Sequence, residues 1–158
     1  MLRLSKKSDY ALIALSYMAL PGQRTIVSAR EMAEQHDIPV ELLAKVLQRL
    51  VRRSVLTSVQ GINGGYRLAR TPDAISVAEV VEAIDGPLTL TACADLADSC
   101  DQFAKCNIRD PLHRIRERIA SALATCSIAE LAGEREQDAL AAAAPVAVTL
   151  VAGPRAGH

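Results

Sequence analysis

The sequence predicts a mainly α-helical chain carrying one small β-hairpin. Three observations lead there. The 158 residues are half hydrophobic but include one Phe, three Tyr and no Trp, so the core is built from Leu, Ile, Val and Ala, which suits packed helices. Capping boxes, in which a Ser and a Glu three residues on satisfy the free donors of a helix start, occur at Ser28-Ala-Arg-Glu31, Ser76-Val-Ala-Glu79 and Ser127-Ile-Ala-Glu130. A glycine-rich turn, Gly61-Ile-Asn-Gly-Gly65, separates two short β-like segments, Val55 to Gln60 and Tyr66 to Arg70, and its glycines and Asn tolerate positive φ. Length favours one ordinary core with a small appendage and argues against a two-domain enzyme.

Taken in order, the first element is an amphipathic helix with Ala11, Leu12, Leu15, Met18 and Ala19 on one face. Lys6 and Lys7 before an apolar run superficially resemble a secretion signal, but Asp9 interrupts the approach and no small-residue cleavage site follows. The second helix starts at Ser28. A third opens at Pro39, a residue favoured at the first helical position, and runs to about Arg53, with Val40, Leu43, Leu47, Leu50 and Val51 on one side and Glu41, Lys45, Gln48 and Arg52 on the other. Only His36 to Ile38 separate these two helices, a turn short enough for a helix-turn-helix. Followed by the basic-flanked hairpin, this is the element order of a winged helix, with the hairpin as the wing and residues 39–53 as the recognition helix.

Ser76 starts a further helix that ends near Asp85-Gly-Pro87, after which a segment of about twenty residues holds three cysteines. Pro111 opens the last long helix, in which Leu112, Ile115, Ile119, Ala122 and Cys126 are spaced 3, 4, 3 and 4, the seam of a short coiled coil. Such a seam serves either a dimer interface or an intramolecular core. Residues from 134 on are rich in Ala and Pro and read as a disordered tail, so the expected division is 1–75, 76–133 and 134–158. No run reaches membrane-spanning length, and the expected location is the cytoplasm.

Formal net charge is zero, yet residues 1–70 carry 11 Lys or Arg against 5 Asp or Glu, net +6, and residues 71–158 carry 7 against 13, net −6. A basic half suits a polyanion, although a solvated basic surface has the same composition.

Cys93, Cys100 and Cys106 place three thiols within fourteen residues. In a cytosolic protein such clustering points to metal or redox chemistry more than to disulfides. Thiolates suit iron–sulfur clusters and zinc, both of which normally take four ligands, and the irregular spacing favours a loop draped over a cluster above a zinc site with paired cysteines. Spacing alone leaves cluster, zinc and unliganded redox thiols open. Cys126, on the apolar seam, reads as a small core residue.

The opening stretch Met1-Leu-Arg-Leu-Ser-Lys-Lys-Ser-Asp-Tyr-Ala11, the wing Gly61-Ile-Asn-Gly-Gly-Tyr-Arg-Leu68, Ile75-Ser-Val-Ala-Glu-Val-Val-Glu-Ala-Ile-Asp-Gly86 and the three-cysteine loop together resemble the Rrf-type winged-helix regulators over residues 1–133. Within that family of IscR-like and NsrR-like proteins, the stretch from Gly86 through Arg109 is most similar to the regulators of SUF-type iron–sulfur assembly. The resemblance implies a homodimer, not an enzyme, that binds a palindromic double-stranded DNA operator and holds a 2Fe–2S or 4Fe–4S cluster on Cys93, Cys100 and Cys106. It implies a repressor of iron–sulfur assembly genes whose DNA affinity follows cluster status, with a nitric-oxide- or redox-responsive repressor as the nearest alternative. In IscR-like members a His completes the site where this chain has Arg109, which stays protonated and ligates poorly. Other members use a carboxylate from the partner subunit near the N-terminus, and Asp9 matches that place, ahead of His113 and Asp110. The DNA-contacting set expected on this basis is Ser28, Glu41, Ala44, Lys45, Gln48, Arg49 and Arg52 with Gln60, Gly61, Asn63 and Tyr66 of the wing. Ala44 and Gln60 stand where relatives carry Glu and Arg, which implies a different operator. A thiol-redox or electron-transfer protein that does not bind DNA is the rival from another class.

Overall fold

A computed structural model describes residues 3–91 and 101–133. The chain folds as α1 (Lys6–Met18), α2 (Ala29–Gln35), α3 (Val40–Arg52), β1 (Leu56–Val59), β2 (Gly65–Leu68), α4 (Val77–Asp85) and α5 (Arg109–Thr125), with short 3-10 turns at Pro72–Ala74 and Phe103–Lys105. This is the winged helix expected from the sequence. α1, α3 and α4 pack on one another, α2 packs on α3, and the antiparallel hairpin pairs Leu56 with Leu68 and Val59 with Gly65.

The core is aliphatic. Leu15, Met32, Leu43, Leu47, Leu50, Val55, Ile75, Val80 and Ile128 belong to a single buried cluster. It therefore runs past residue 75 through α4. The chain beyond α5 also returns to it, because Val77 donates to the Cys126 carbonyl at 2.9 Å and Ile128 donates to Ile75 at 2.9 Å. Residues 128–133 are helical.

Each predicted capping Ser accepts the expected backbone bond: Glu31 N–H to Ser28 Oγ at 3.1 Å, Glu79 N–H to Ser76 Oγ at 3.2 Å, and Glu130 N–H to Ser127 Oγ at 3.1 Å. Only Glu130 reaches back to its own cap, accepting from Ser127 N at 3.4 Å. Glu31 instead meets Arg24 at 2.7 Å, and Glu79 is drawn to Arg70, so nearby cations compete successfully for these carboxylates.

Three local expectations are corrected. Pro39 is the N-cap of α3 and not its first helical residue, with an extended ψ of 121°. α5 begins at Arg109, two residues ahead of Pro111, because a proline anywhere in the first turn removes only a donor that lacks an intrahelical partner. In the wing turn Gly61 alone takes positive φ (113°), whereas Asn63 does not. Gly64 and Gly65 are needed for space: a Cβ on Gly64 would sit 2.4 Å from the Val59 carbonyl oxygen, and one on Gly65 2.5 Å from that of Val27. The turn between α2 and α3 uses Asp37 at φ 52°, a left-handed conformation that Asp tolerates better than most side chains.

Candidate functional site

α3 divides its residues cleanly. Leu43, Val46, Leu47 and Leu50 are buried, while Glu41, Lys45, Gln48, Arg49 and Arg52 are exposed on the other side at spacings that place them along one face. Ala44 is half-buried between the two faces. Polar side chains with both donors and acceptors thus line a convex rod able to enter a DNA major groove.

The wing is fastened beside that rod. Val27 and Tyr66 exchange two backbone bonds, at 3.0 and 2.9 Å, which tie β2 to the segment leading into α2. Gln60, Gly61 and Asn63 are exposed at the hairpin tip. Tyr66 is half-buried and packs on the core, and Ser28 spends its hydroxyl on the α2 cap. Arg24, Ile26 and Ser28 face Ile62, Asn63 and Gly64 across a groove between the wing tip and the start of α2. The site residues not anticipated from sequence are Ile62, fully exposed at the tip, and exposed Arg53 and Arg67. An isoleucine inside a turn of glycines and Asn was the available signal for Ile62.

Cys106 is half-buried where the Phe103–Lys105 turn hands over to α5. Cys93 and Cys100 lie outside the described residues. Asp9 is exposed in the first turn of α1. Among the described residues no three His, Cys, Asp or Glu side chains come together. Arg109 Nε donates to Asp110 Oδ1 at 2.9 Å, and this bond, with the Arg109 charge, holds the Asp110 carboxyl below its ordinary value. His113 lies 4.0 Å from Glu117, whose carboxyl is lowered by its bond from Arg116. Thiols are soft donors able to ligate iron or zinc and Asp9 is an exposed carboxylate, whereas the Arg109 guanidinium has no lone pair to offer.

α5 is a helix of 17 residues with none buried. Its Arg116, Ala120 and Leu123 border a groove against Ala78, Val81 and Glu82 of α4. Of the predicted seam, Leu112 and Ile119 are half-buried on the same side as Arg116, Ala120 and Leu123, whereas Ala122 and Ile115, the latter 45% exposed, face outward. Cys126, expected in a core, is a half-buried C-cap.

A helix-turn-helix with an exposed polar recognition face, a glycine-tight wing and a long outlying helix defines the class of winged-helix regulators. The profile of the Rrf2 family, described as iron-dependent transcriptional regulator, matches residues 4–134. The chain belongs to this family. It is similar to a putative HTH-type transcriptional regulator of Aquifex aeolicus, 40% identical over 95 residues, which are 60% of this chain and 65% of that one. The match to a relative from Azotobacter vinelandii, 38% identical, spans 56% of that protein's length and 58% of this chain. With the HTH-type transcriptional regulator IscR of Xenorhabdus nematophila it shares 32% identity over 85% of this chain and 82% of the relative. Among solved structures, CymR, the global cysteine regulator of B. subtilis, superposes with a TM-score of 0.70 at 24% identity, covering 85% of this chain and 98% of that one. T. potens IscR gives 0.68 at 22% identity, covering 87% and 90%. These two establish the shared fold. The relatives are regulators and not enzymes, and among the described residues no helix is long and apolar enough to cross a membrane.

Proposed function

We propose that the chain is a cytoplasmic, homodimeric repressor that binds a palindromic operator and reports iron–sulfur cluster status to SUF-type assembly genes. The observation that carries DNA binding is the α3 face of Glu41, Lys45, Gln48, Arg49 and Arg52 beside the anchored wing. Lys45, Arg49 and Arg52 supply phosphate-neutralising charge, while Gln48 and Glu41 have the donor and acceptor pattern for base edges. A 17-residue α5 without a buried residue supports dimerisation, since pairing it with a second copy would cover exposed Ile115 and Ala122, complete the burial of Leu112 and Ile119, and present two recognition helices at once.

Cys93, Cys100 and Cys106 would hold the cluster, with Asp9 of a second copy as fourth ligand, and residues 76–133 would form the sensing and dimerising extension of the 1–75 reader. The family's iron dependence and the thiol donor set support this reading. When bound, the cluster supplies a redox-sensitive anionic centre to the start of α5. This chain's own part is to orient Cys106 through the Phe103–Lys105 turn and to keep Arg109 engaged with Asp110.

Anaerobic purification with an absorbance spectrum and iron and sulfide counts, followed by footprinting of loaded and cluster-free protein on its own promoter, tests the proposal. A visible chromophore lost in Cys100→Ala and a footprint that differs between the forms are expected. Stoichiometric zinc without sulfide, or a cluster without salt-sensitive promoter binding, overturns it.

A further inference from the structure

Asp85, the last residue of α4, makes a set of contacts that no sequence signal marked. Its Oδ1 accepts from Ser5 Oγ at 2.5 Å, and its Oδ2 accepts from Ser5 N at 3.0 Å and from Ser8 Oγ at 2.8 Å. Ser5 is the N-cap of α1 and Ser8 is fully buried. A carboxylate at a helix C-terminus opposes that helix's dipole, so its location is unfavourable for α4. The same charge aimed at the start of α1 meets free backbone donors there, which offsets the cost. α1 and α4, which these bonds join, both pack on α3. Directly after Asp85, Gly86 ends α4 at φ 87°, and Cys93 and Cys100 follow it in the sequence.

We propose that Asp85 is a positioning residue that fastens the entry of the cysteine segment to the first turn of α1, the helix that packs on α3. A displacement after Gly86 is thereby passed to Asp9 and to the DNA-facing helix together. An ordinary cap would not need three donors, from two side chains and one backbone group, gathered on one carboxylate. This inference rests on the cluster-holding reading proposed above.

The test uses the full chain, purified anaerobically, as wild type, Asp85→Asn and Ser8→Ala. Asparagine keeps the size but turns an amide NH2 toward one of the serine donors, breaking the clamp without opening a cavity. Two readouts are taken with and without cluster: affinity for the promoter fragment by fluorescence anisotropy, and amide hydrogen exchange over residues 5–9 by mass spectrometry. In wild type, loading is expected to change affinity about tenfold and to alter exchange in that first turn. In Asp85→Asn the affinity ratio falls to within about twofold of one and the exchange difference disappears, with iron per chain unchanged. A ratio kept at the wild-type value, even with both affinities lowered equally, overturns the coupling and leaves only a structural cap. A wild-type chain without a cluster chromophore overturns the underlying reading, and the coupling with it. Should Asp85→Asn fail to fold, Ser8→Ala removes one donor while sparing the Ser5 cap. An intermediate ratio is then expected, and an unchanged one refutes the coupling.

Discussion

Replacing Gly65 with Ala probes how firmly the wing is held against the reading head. The added Cβ would lie 2.5 Å from the Val27 carbonyl oxygen, 2.8 Å from its carbon and 3.1 Å from the Ser28 Cα, all backbone atoms that cannot rotate away. Relief requires β2 to move off the segment entering α2, and the two bonds between Val27 and Tyr66 lengthen or break. At about 0.5–1.5 kcal/mol net for each bond, the loss is about 1–3 kcal/mol. For a domain of this size each kcal/mol lowers the melting midpoint by roughly 3–5 °C, so a fall of about 3–15 °C is expected in calorimetry. Because Gln60, Gly61 and Asn63 ride on the same hairpin, promoter affinity should weaken beyond the loss of folded protein. Gly133→Ala is the control: it meets nothing within 4 Å, lies in helical backbone and should leave the midpoint unchanged or raise it slightly. A Gly65→Ala protein with wild-type midpoint and affinity would refute the claim that close backbone approach fixes the wing.

Lys45→Ala should reduce the slope of log affinity against log salt by about one and weaken all sequences alike, as a lost phosphate contact does; an unchanged slope removes Lys45 from the interface. Ile115→Asp on the exposed side of α5 should shift the protein to monomer at micromolar concentration in sedimentation while helicity is retained; a persistent dimer places the interface elsewhere. Burial raises the Asp85 carboxyl, but bonds from Ser5 and Ser8 and the charge of Arg49 outweigh it and hold the group below its ordinary value. Its contribution to stability is thus complete above the unfolded aspartate value and lost as pH falls through the lower folded one. Urea titrations should therefore show the gap between wild type and Asp85→Asn closing below about pH 4, and a gap constant down to pH 2 contradicts the assignment.

Much of this architecture was legible because the information was local. Ser28, Ser76 and Ser127 announce helix starts through bonds spanning three residues, and the alternation along α3 separates Leu43 and Leu47 from Lys45 and Gln48 without reference to the rest of the chain. What escaped was long-range. The Asp85 clamp joins residues 77 and 80 positions apart, and nothing in Ser5-Lys-Lys-Ser8 names its partner. The reach of the core into α4 and Ile128 was hidden for the same reason, since capping and periodicity describe a helix but not what it packs on. Pro39 was misplaced by one residue because a proline suits the cap as well as the first helical turn.

The two sides of α5 show how little separates those alternatives. Leu112, Ile115, Ile119 and Ala122 read equally well as a seam for a partner or for the chain's own core, and only the location of α4 decides between them. The half-buried residues of α5 are Leu112, Arg116, Ile119, Ala120 and Leu123, so the predicted seam is split, with Ile115 and Ala122 left exposed and the covered face a mixed one that includes Arg116. A helix with no fully buried residue that leaves Ile115 45% exposed gains little from the fold of one copy. The second copy proposed above would cover Ile115 and add apolar burial that one copy lacks. That geometry also sets where a signal can travel. Cys106 sits just ahead of α5 and Asp85 at the exit of α4, so in sequence the three cysteines lie between the helix proposed to dimerise and the carboxylate clamped onto α1.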